Sequence, residues 1–299
     1  MRFSVLGPLL AQADDGSPLV ISRPSQRGTL AVLLLHAAHP PTRTLLIDAL
    51  WGDDPPADAD AALRVRMSDL RRALGDCDRL VTHQSGYRLI LKPGELDVAT
   101  FGVLASRGRD ALDSGRPGDA ASLLTRASAL WRDPPLADVP DTPLLEPVRT
   151  ALLEQRRDVQ EWLIDARLAL GEHQGALAAI RACIGADPLA EHPHVQLMLA
   201  LYRGGQKAAA LAAYTRLRDL TVREFGQDPG PEARKLLEQM LADSPELMAP
   251  PRATPVGETD SGAVASACSA PTRLRRPGRP ARASVRLCHA VTARHGFGR

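Results

Sequence analysis

The stretch ADADAALRVRMSDLRRALG, residues 57–75, decides how the first part of the chain folds. Leu63, Met67, Leu70 and Leu74 recur at helical spacing and fall on one stripe of a wheel turned by about 100° per residue. Asp58 or Asp60 can cap the first turn and Gly75 stops the last, so the pattern predicts a helix from about Ala57 to Leu74. Away from the stripe, Arg64, Ser68, Arg71 and Arg72 share one polar arc, and Arg66 flanks the stripe's other edge. Such an arc suits a helix laid in a major groove, where arginine pairs with phosphate or takes guanine O6 and N7 through two hydrogen bonds. A solvated amphipathic helix would carry the same arc, so the neighbouring elements must decide between the two.

Upstream, Gln26–Ala38 is a largely apolar helix candidate and Thr44–Trp51 a short one, separated from the arginine-faced helix by the breaker Asp53-Asp54-Pro55-Pro56. Phe3–Leu10 and Leu19–Ile21 are strand-like, with Asp14-Asp15-Gly16-Ser17 as a turn between them. Downstream, Arg79–His83 and Tyr87–Leu91 are strand candidates joined through Gln84-Ser85-Gly86. A short helix, a turn, an arginine-faced helix and a glycine-turned hairpin form the order of a winged helix-turn-helix, whose hairpin touches backbone or minor groove beside the reading helix. Arg88 is placed as the wing's phosphate contact, with Thr82 and His83 as weaker candidates.

The middle of the chain is helical almost throughout and carries a repeat. Gly115, Gly171 and Gly205 are each followed five residues later by alanine (Ala120, Ala176, Ala210) and nine residues later by Leu124, Ile180 or Tyr214. The last two copies lie 34 residues apart, the tetratricopeptide period, in which small residues let paired helices approach closely. The expected fold class is therefore mainly α with a small β component: a winged helix-turn-helix over 1–92, a tetratricopeptide-like helical domain over 95–247 and a disordered basic tail over 250–299.

The formal net charge of +2 over 299 residues conceals three segments. Residues 1–92 carry 11 basic and 10 acidic groups, residues 93–251 carry 17 and 23, and residues 252–299 carry 9 and 2. Charge alone does not coat nucleic acid here, and an aromatic content of 3% is too low for base-stacking platforms on single strands. Cys77, Cys183, Cys268 and Cys288 form no CxxC or Cys/His cluster, which indicates neither a zinc module nor a disulfide framework and fits a reducing, cytoplasmic setting. The apolar run from Phe3 is broken by Gly7-Pro8 and suits a strand and turn better than a signal peptide, and no apolar run approaches the length of a membrane span. His192 and His194 sit in a helix-start context that makes a poor metal site, and no phosphate loop or hydrolase motif occurs, so neither a cofactor nor an enzymatic activity is expected. In the tail, residues 274–282 resemble a minor-groove hook in a single copy, against the plainer reading of nonspecific phosphate attraction.

LLIDALWGDDPPADADAALRVRMSDLRRAL (45–74) and RLVTHQSGYRLIL (79–91) resemble the winged-helix domain of the Streptomyces antibiotic regulatory protein family, related to that of OmpR-type response regulators. LMLALYRGGQKAAALAAY (197–214) and EFGQDPGPEARKLLEQML (224–241) are similar to the bacterial transcriptional activator domain that follows it in that family. The resemblance implies an activator that binds double-stranded DNA at direct repeats near a promoter, contacts RNA polymerase holoenzyme there and switches on a secondary-metabolite gene cluster, with the helical domain expected to serve self-association on DNA, polymerase contact, or both. It implies that Arg64, Arg66, Ser68, Arg71 and Arg72 fall on the reading helix and Arg88 on the wing. One residue departs from the pattern. The position before Leu70-Arg71-Arg72 is usually basic and here is Asp69, which would repel a phosphate or engage Arg72. That residue, with the near-neutral charge of 1–92, keeps an alternative in view: a helical-repeat interaction module whose winged helix no longer binds DNA.

Overall fold

The computed structural model describes residues 1–75, 78–142 and 144–248. The basic tail expected at 250–299, its arginine-rich stretch at 274–282, and Cys77, Cys268 and Cys288 lie outside the described residues.

β1 (Arg2–Ser4) and β2 (Leu10–Gln12) pair antiparallel with Phe3 opposite Ala11. The single strand expected over Phe3–Leu10 ends at Ser4, because the next two amides leave the sheet: Val5 and Leu6 donate N–H bonds to the Asp97 carboxylate at 2.9 and 3.0 Å. Leu19–Ile21 forms no strand either. Leu19 N–H reaches the Ala11 carbonyl and Gln12 makes one bridge to Pro18, but no ladder extends beyond it.

Three helices follow, α1 (Pro24–Leu35), α2 (Arg43–Trp51) and α3 (Ala59–Ala73), and then the hairpin β3 (Leu80–His83) and β4 (Gly86–Leu89). The hairpin register puts Val81 opposite Arg88 and His83 opposite Gly86. α1 is buried over Gly28–Leu34 and packs on α2 and α3, which explains why its sequence is apolar with so little alternation. The arrangement is a winged helix-turn-helix.

The described residues beyond the hairpin are mainly helical: α4 (Asp97–Asp113), α5 (Pro117–Ser128), α6 (Leu145–Ala169), α7 (His173–Ala186), α8 (Glu191–Arg203), α9 (Lys207–Phe225) and α10 (Pro231–Leu241). The first six pack as consecutive pairs, α4 with α5, α6 with α7, and α8 with α9. Each pair turns on one of the repeat glycines, Gly115, Gly171 and Gly205, at φ of 68°, 79° and 75°. The same two hydrogen bonds recur at each turn: Gly115 to Leu112 with Arg116 to Ala111, Gly171 to Leu168 with Glu172 to Arg167, and Gly205 to Tyr202 with Gln206 to Leu201. That pattern is a left-handed helix cap, which L side chains adopt only with strain. Ala120, Ala176 and Ala210 are fully buried at the helix crossings.

Among the described residues two apolar cores form, one from Phe3 to Ala166 and the other from Ile164 to Leu247, so α6 is shared between them. The first core joins the winged helix to the leading helical pair. Its seam is the segment Val5–Leu9, whose backbone is bonded to the loop after α5: Arg132 N–H to Leu6 carbonyl at 2.9 Å, Leu136 N–H to Gly7 carbonyl at 2.8 Å, and Leu9 N–H to the Asp138 carboxylate at 2.7 Å. From α1, Arg27 closes the seam on the carbonyls of Ile21 and Leu9 and on Asp138. Burial raises the Asp97 carboxyl above its ordinary value, although three backbone amides and Arg132 oppose the shift.

Candidate nucleic-acid interface

Helix α3 begins where Asp58 accepts the Ala61 N–H at 2.8 Å, so Asp58, of the two aspartates considered, is the cap. Leu63, Met67, Leu70 and Leu74 are all buried, which turns Arg64, Val65, Ser68 and Arg72 outward. Arg64 and Ser68 are exposed, as the arc predicts.

Arg71 makes contacts within the fold that the arc does not predict. Its Nε donates to the Leu80 carbonyl at 2.9 Å, its Nη2 donates to Thr82 Oγ1 at 3.1 Å, and its guanidinium lies 6.0 Å from the Tyr87 ring centre. The residue stands on the side of the arc nearest the buried stripe, where the hairpin packs, and it fastens α3 to β3. Arg66 likewise turns into the fold: it stacks 4.2 Å over the Trp51 ring of α2, half-buried, and burial lowers its pKa. Periodicity assigned these two guanidiniums to the helix surface correctly, but not to the partner that each one meets.

On the hairpin, Arg88 is exposed beside the buried Tyr87 and Leu89. Thr82 is exposed and accepts from Arg71, while His83 turns back to Ser85, Nδ1 to Oγ at 3.1 Å. The turn of this wing is held close to α2. Arg43 N–H donates to the Ser85 carbonyl at 2.8 Å, and Thr42 bridges to Gly86. A Cβ at Gly86 would stand 2.2 Å from the Pro41 carbonyl oxygen, so only glycine permits this approach.

The same contact brings forward a residue absent from the sequence expectation. Arg43 opens α2 immediately after its cap Thr42, whose hydroxyl accepts the Leu45 N–H at 3.1 Å, and its side chain is exposed next to the wing turn. The signal that could have found it is the Thr42-Arg43-Thr44-Leu45 start of the helix-turn-helix's first helix, an end that presents free N–H groups and a cation together.

Asp69, which the sequence marks as a departure, meets one unforeseen partner. Its Oδ1 lies 3.1 Å from Arg72 Nη1 and its Oδ2 lies 3.4 Å from Nη1 of Arg23, the residue that precedes α1. Of the two consequences expected of this aspartate, engagement of Arg72 is the one observed.

Elsewhere, His192 and His194 take separate partners, Asp165 Oδ2 at 3.2 Å and the Pro188 carbonyl at 3.0 Å, and no group of His, Cys, Asp or Glu among the described residues is arranged to hold a metal ion. No helix among them is long and apolar enough to cross a membrane.

Comparison with known proteins bears on the whole arrangement. Residues 96–241 match the bacterial transcriptional activator domain, and residues 19–89 match the C-terminal domain of transcriptional regulatory proteins. The chain is 39% identical over 251 residues to the regulatory protein AfsR of Streptomyces griseus, covering 84% of this chain and 25% of that protein, so it spans about a quarter of that relative's length. It is 32% identical over 257 residues to the regulatory protein DnrI of Streptomyces peucetius, covering 83% of this chain and 94% of that one. Among solved structures, EmbR of Mycobacterium tuberculosis in complex with a low-affinity phosphopeptide superposes with a TM-score of 0.77 at 33% identity, over 82% of this chain and 65% of that one.

Proposed function

The chain belongs to the Streptomyces antibiotic regulatory protein family of transcriptional regulators, and from that premise we propose that it activates transcription by binding duplex DNA at direct repeats near a promoter. The observation that carries this reading is the outward side of α3. There Arg64, Ser68 and Arg72 stand exposed over a fully buried stripe, beside a wing that carries Arg88 and is pinned to the start of α2.

In this reading α3 enters the major groove, with Arg64 and Arg72 pairing with phosphate or guanine and Ser68 making a short polar contact. Arg43 and Arg88 take flanking phosphates. Arg71, Arg66 and Thr82 act one step back, since their groups hold α3 against the hairpin and α2. His83 sits at the wing turn. The division of labour gives DNA reading to residues 1–92 and contact with RNA polymerase holoenzyme, self-association on DNA, or both to residues 95–247. Because the Val5–Leu9 seam ties the two together, a protein docked on the helical domain would hold α3 in a fixed orientation. The genes served are those of a secondary-metabolite cluster, and the site of action is the cytoplasm.

One observation favours the alternative, an interaction module without DNA affinity: Asp69 pairs with Arg72 and Arg23 and so offsets charge on the reading side. Selection of duplexes from a random library by the purified chain separates the two. Enrichment of a direct-repeat sequence supports the activator reading, and absence of any enriched duplex supports the interaction module.

A further inference from the structure

The outward ridge of α3 runs Val65, Ser68, Asp69, Arg72, residues spaced so that they stand one above another on the helix. It holds an aliphatic side chain 60% exposed, a hydroxyl, a carboxylate and a guanidinium, and is formally neutral. Such a ridge is poorly built for attraction to phosphate at large. Asp69 is the residue that makes it so. Its side chain is 26% exposed, while the two arginines that it holds, Arg23 and Arg72, are 69% and 71% exposed. The half-buried carboxylate is thus the centre on which two exposed guanidiniums converge, one from α3 and one from the residue that precedes α1.

Resting on the DNA-binding reading, we infer that Asp69 is a specificity-determining residue of the interface. It acts in two ways. By offsetting one of two cations it reduces the attraction of the face for arbitrary duplex, which is governed by the number of phosphates neutralised. By engaging Arg72 and Arg23 with one oxygen each, it orients both planar guanidiniums before DNA arrives, so that less freedom is lost when a matching sequence is met. Removing the charge should therefore strengthen binding to unrelated sequences and leave binding to the matching sequence unchanged, because there the lost preorganisation offsets the gained attraction. Discrimination falls even as general affinity rises.

The test is Asp69→Asn, which keeps the shape and removes the charge. A duplex selected by the unaltered chain and a scrambled duplex of the same length are titrated with both proteins between 50 and 300 mM salt, roughly the range where counterion release dominates. The expected result is about a fivefold gain on the scrambled duplex at 0.15 M salt, a salt slope steeper by about 0.9, and no gain on the selected duplex. Equal gains on both duplexes would make Asp69 a merely repulsive charge and overturn the inference alone, as would no change on either. An unaltered chain that selects no duplex overturns the DNA-binding reading and this inference with it.

Discussion

Arg71 Nε donates to the carbonyl oxygen of Leu80 at 2.9 Å, while the same guanidinium reaches Thr82. Arg71, one of the arginines expected to touch DNA, also braces α3 against β3. Replacing it by alanine leaves the Leu80 carbonyl without this donor and should cost about 1.5–3 kcal/mol, the range for hydrogen bonds to charged groups. Arg64→Ala, on the exposed side of the same helix, should stay within about 0.5 kcal/mol. Urea denaturation of the two variants checks the contrast, and equal losses would remove the brace. Loss of DNA binding by an Arg71 variant alone would then report the fold as much as the interface.

Gly86 should not tolerate a side chain. Its backbone is not left-handed, so the constraint is the 2.2 Å approach to the Pro41 carbonyl oxygen rather than φ. Gly86→Ala must push the wing turn away from α2 and break the Ser85–Arg43 bond, at a cost of about 1–3 kcal/mol for overpacking. Gly28→Ala meets nothing within 4 Å and is the control, with the melting temperatures of the two as the readout.

The seam between the winged helix and the helical pair depends on Asp97. Asp97→Ala strips the partner from the Val5 and Leu6 amides, both in fully buried residues, and should destabilise the protein by about 2–4 kcal/mol. Trp131 lies next to Arg132 on the other side of the seam and stacks edge-on against Phe101 at 5.4 Å, so its fluorescence reports whether the seam opens. A variant with native stability and unchanged Trp131 emission would contradict the role given to Asp97.

Stability should also fall at alkaline pH. The hydrogen bond to Asp165 raises His192 to a pKa of about 9, against the opposing effect of burial and with help from the charges of Asp165, Glu232 and Glu161. A folded pKa above the unfolded value of about 6.5 gives a contribution fully present below pH 6.5 and lost as pH rises through 9. Denaturation midpoints should drop across that window, and His192→Gln should flatten the drop. Identical profiles for the two proteins would show that His192 is not responsible.

The acid side has a separate origin. Burial would raise Glu95, but hydrogen bonds from Arg79, the Lys92 amide and the N-terminus hold it at about 2. Its contribution is present above the unfolded value near 4.5 and lost as pH falls through 2. Glu95→Gln should therefore be less stable than the unaltered protein at pH 6 and converge with it near pH 2; a constant gap would rule this out.

Local spacing made a good deal of this legible. The buried stripe of α3, the Asp58 cap and the three glycine turns follow from period and propensity, because each is set by residues within one or two helical turns of one another. What escaped notice is set by residues far apart in the chain. Asp97 caps amides 91 and 92 residues away, Arg23 meets Asp69 across 46, and Arg66 finds Trp51 on another helix. A wheel reports which face a side chain occupies, but not which element packs there. For that reason a wheel does not show the contacts that Arg66 and Arg71 make within the fold, nor the place of Arg43 beside the wing turn.

The most direct test of the DNA-reading assignment is the affinity of Arg64→Ala/Arg72→Ala for a duplex selected by the unaltered chain, measured against salt. Both side chains are exposed, so the variant should melt as the unaltered protein does. If α3 reads DNA, binding weakens by about tenfold or more and the salt slope falls by about one for each arginine in contact with phosphate. Unchanged affinity and slope in a correctly folded variant would contradict the assignment of α3 as the reading helix.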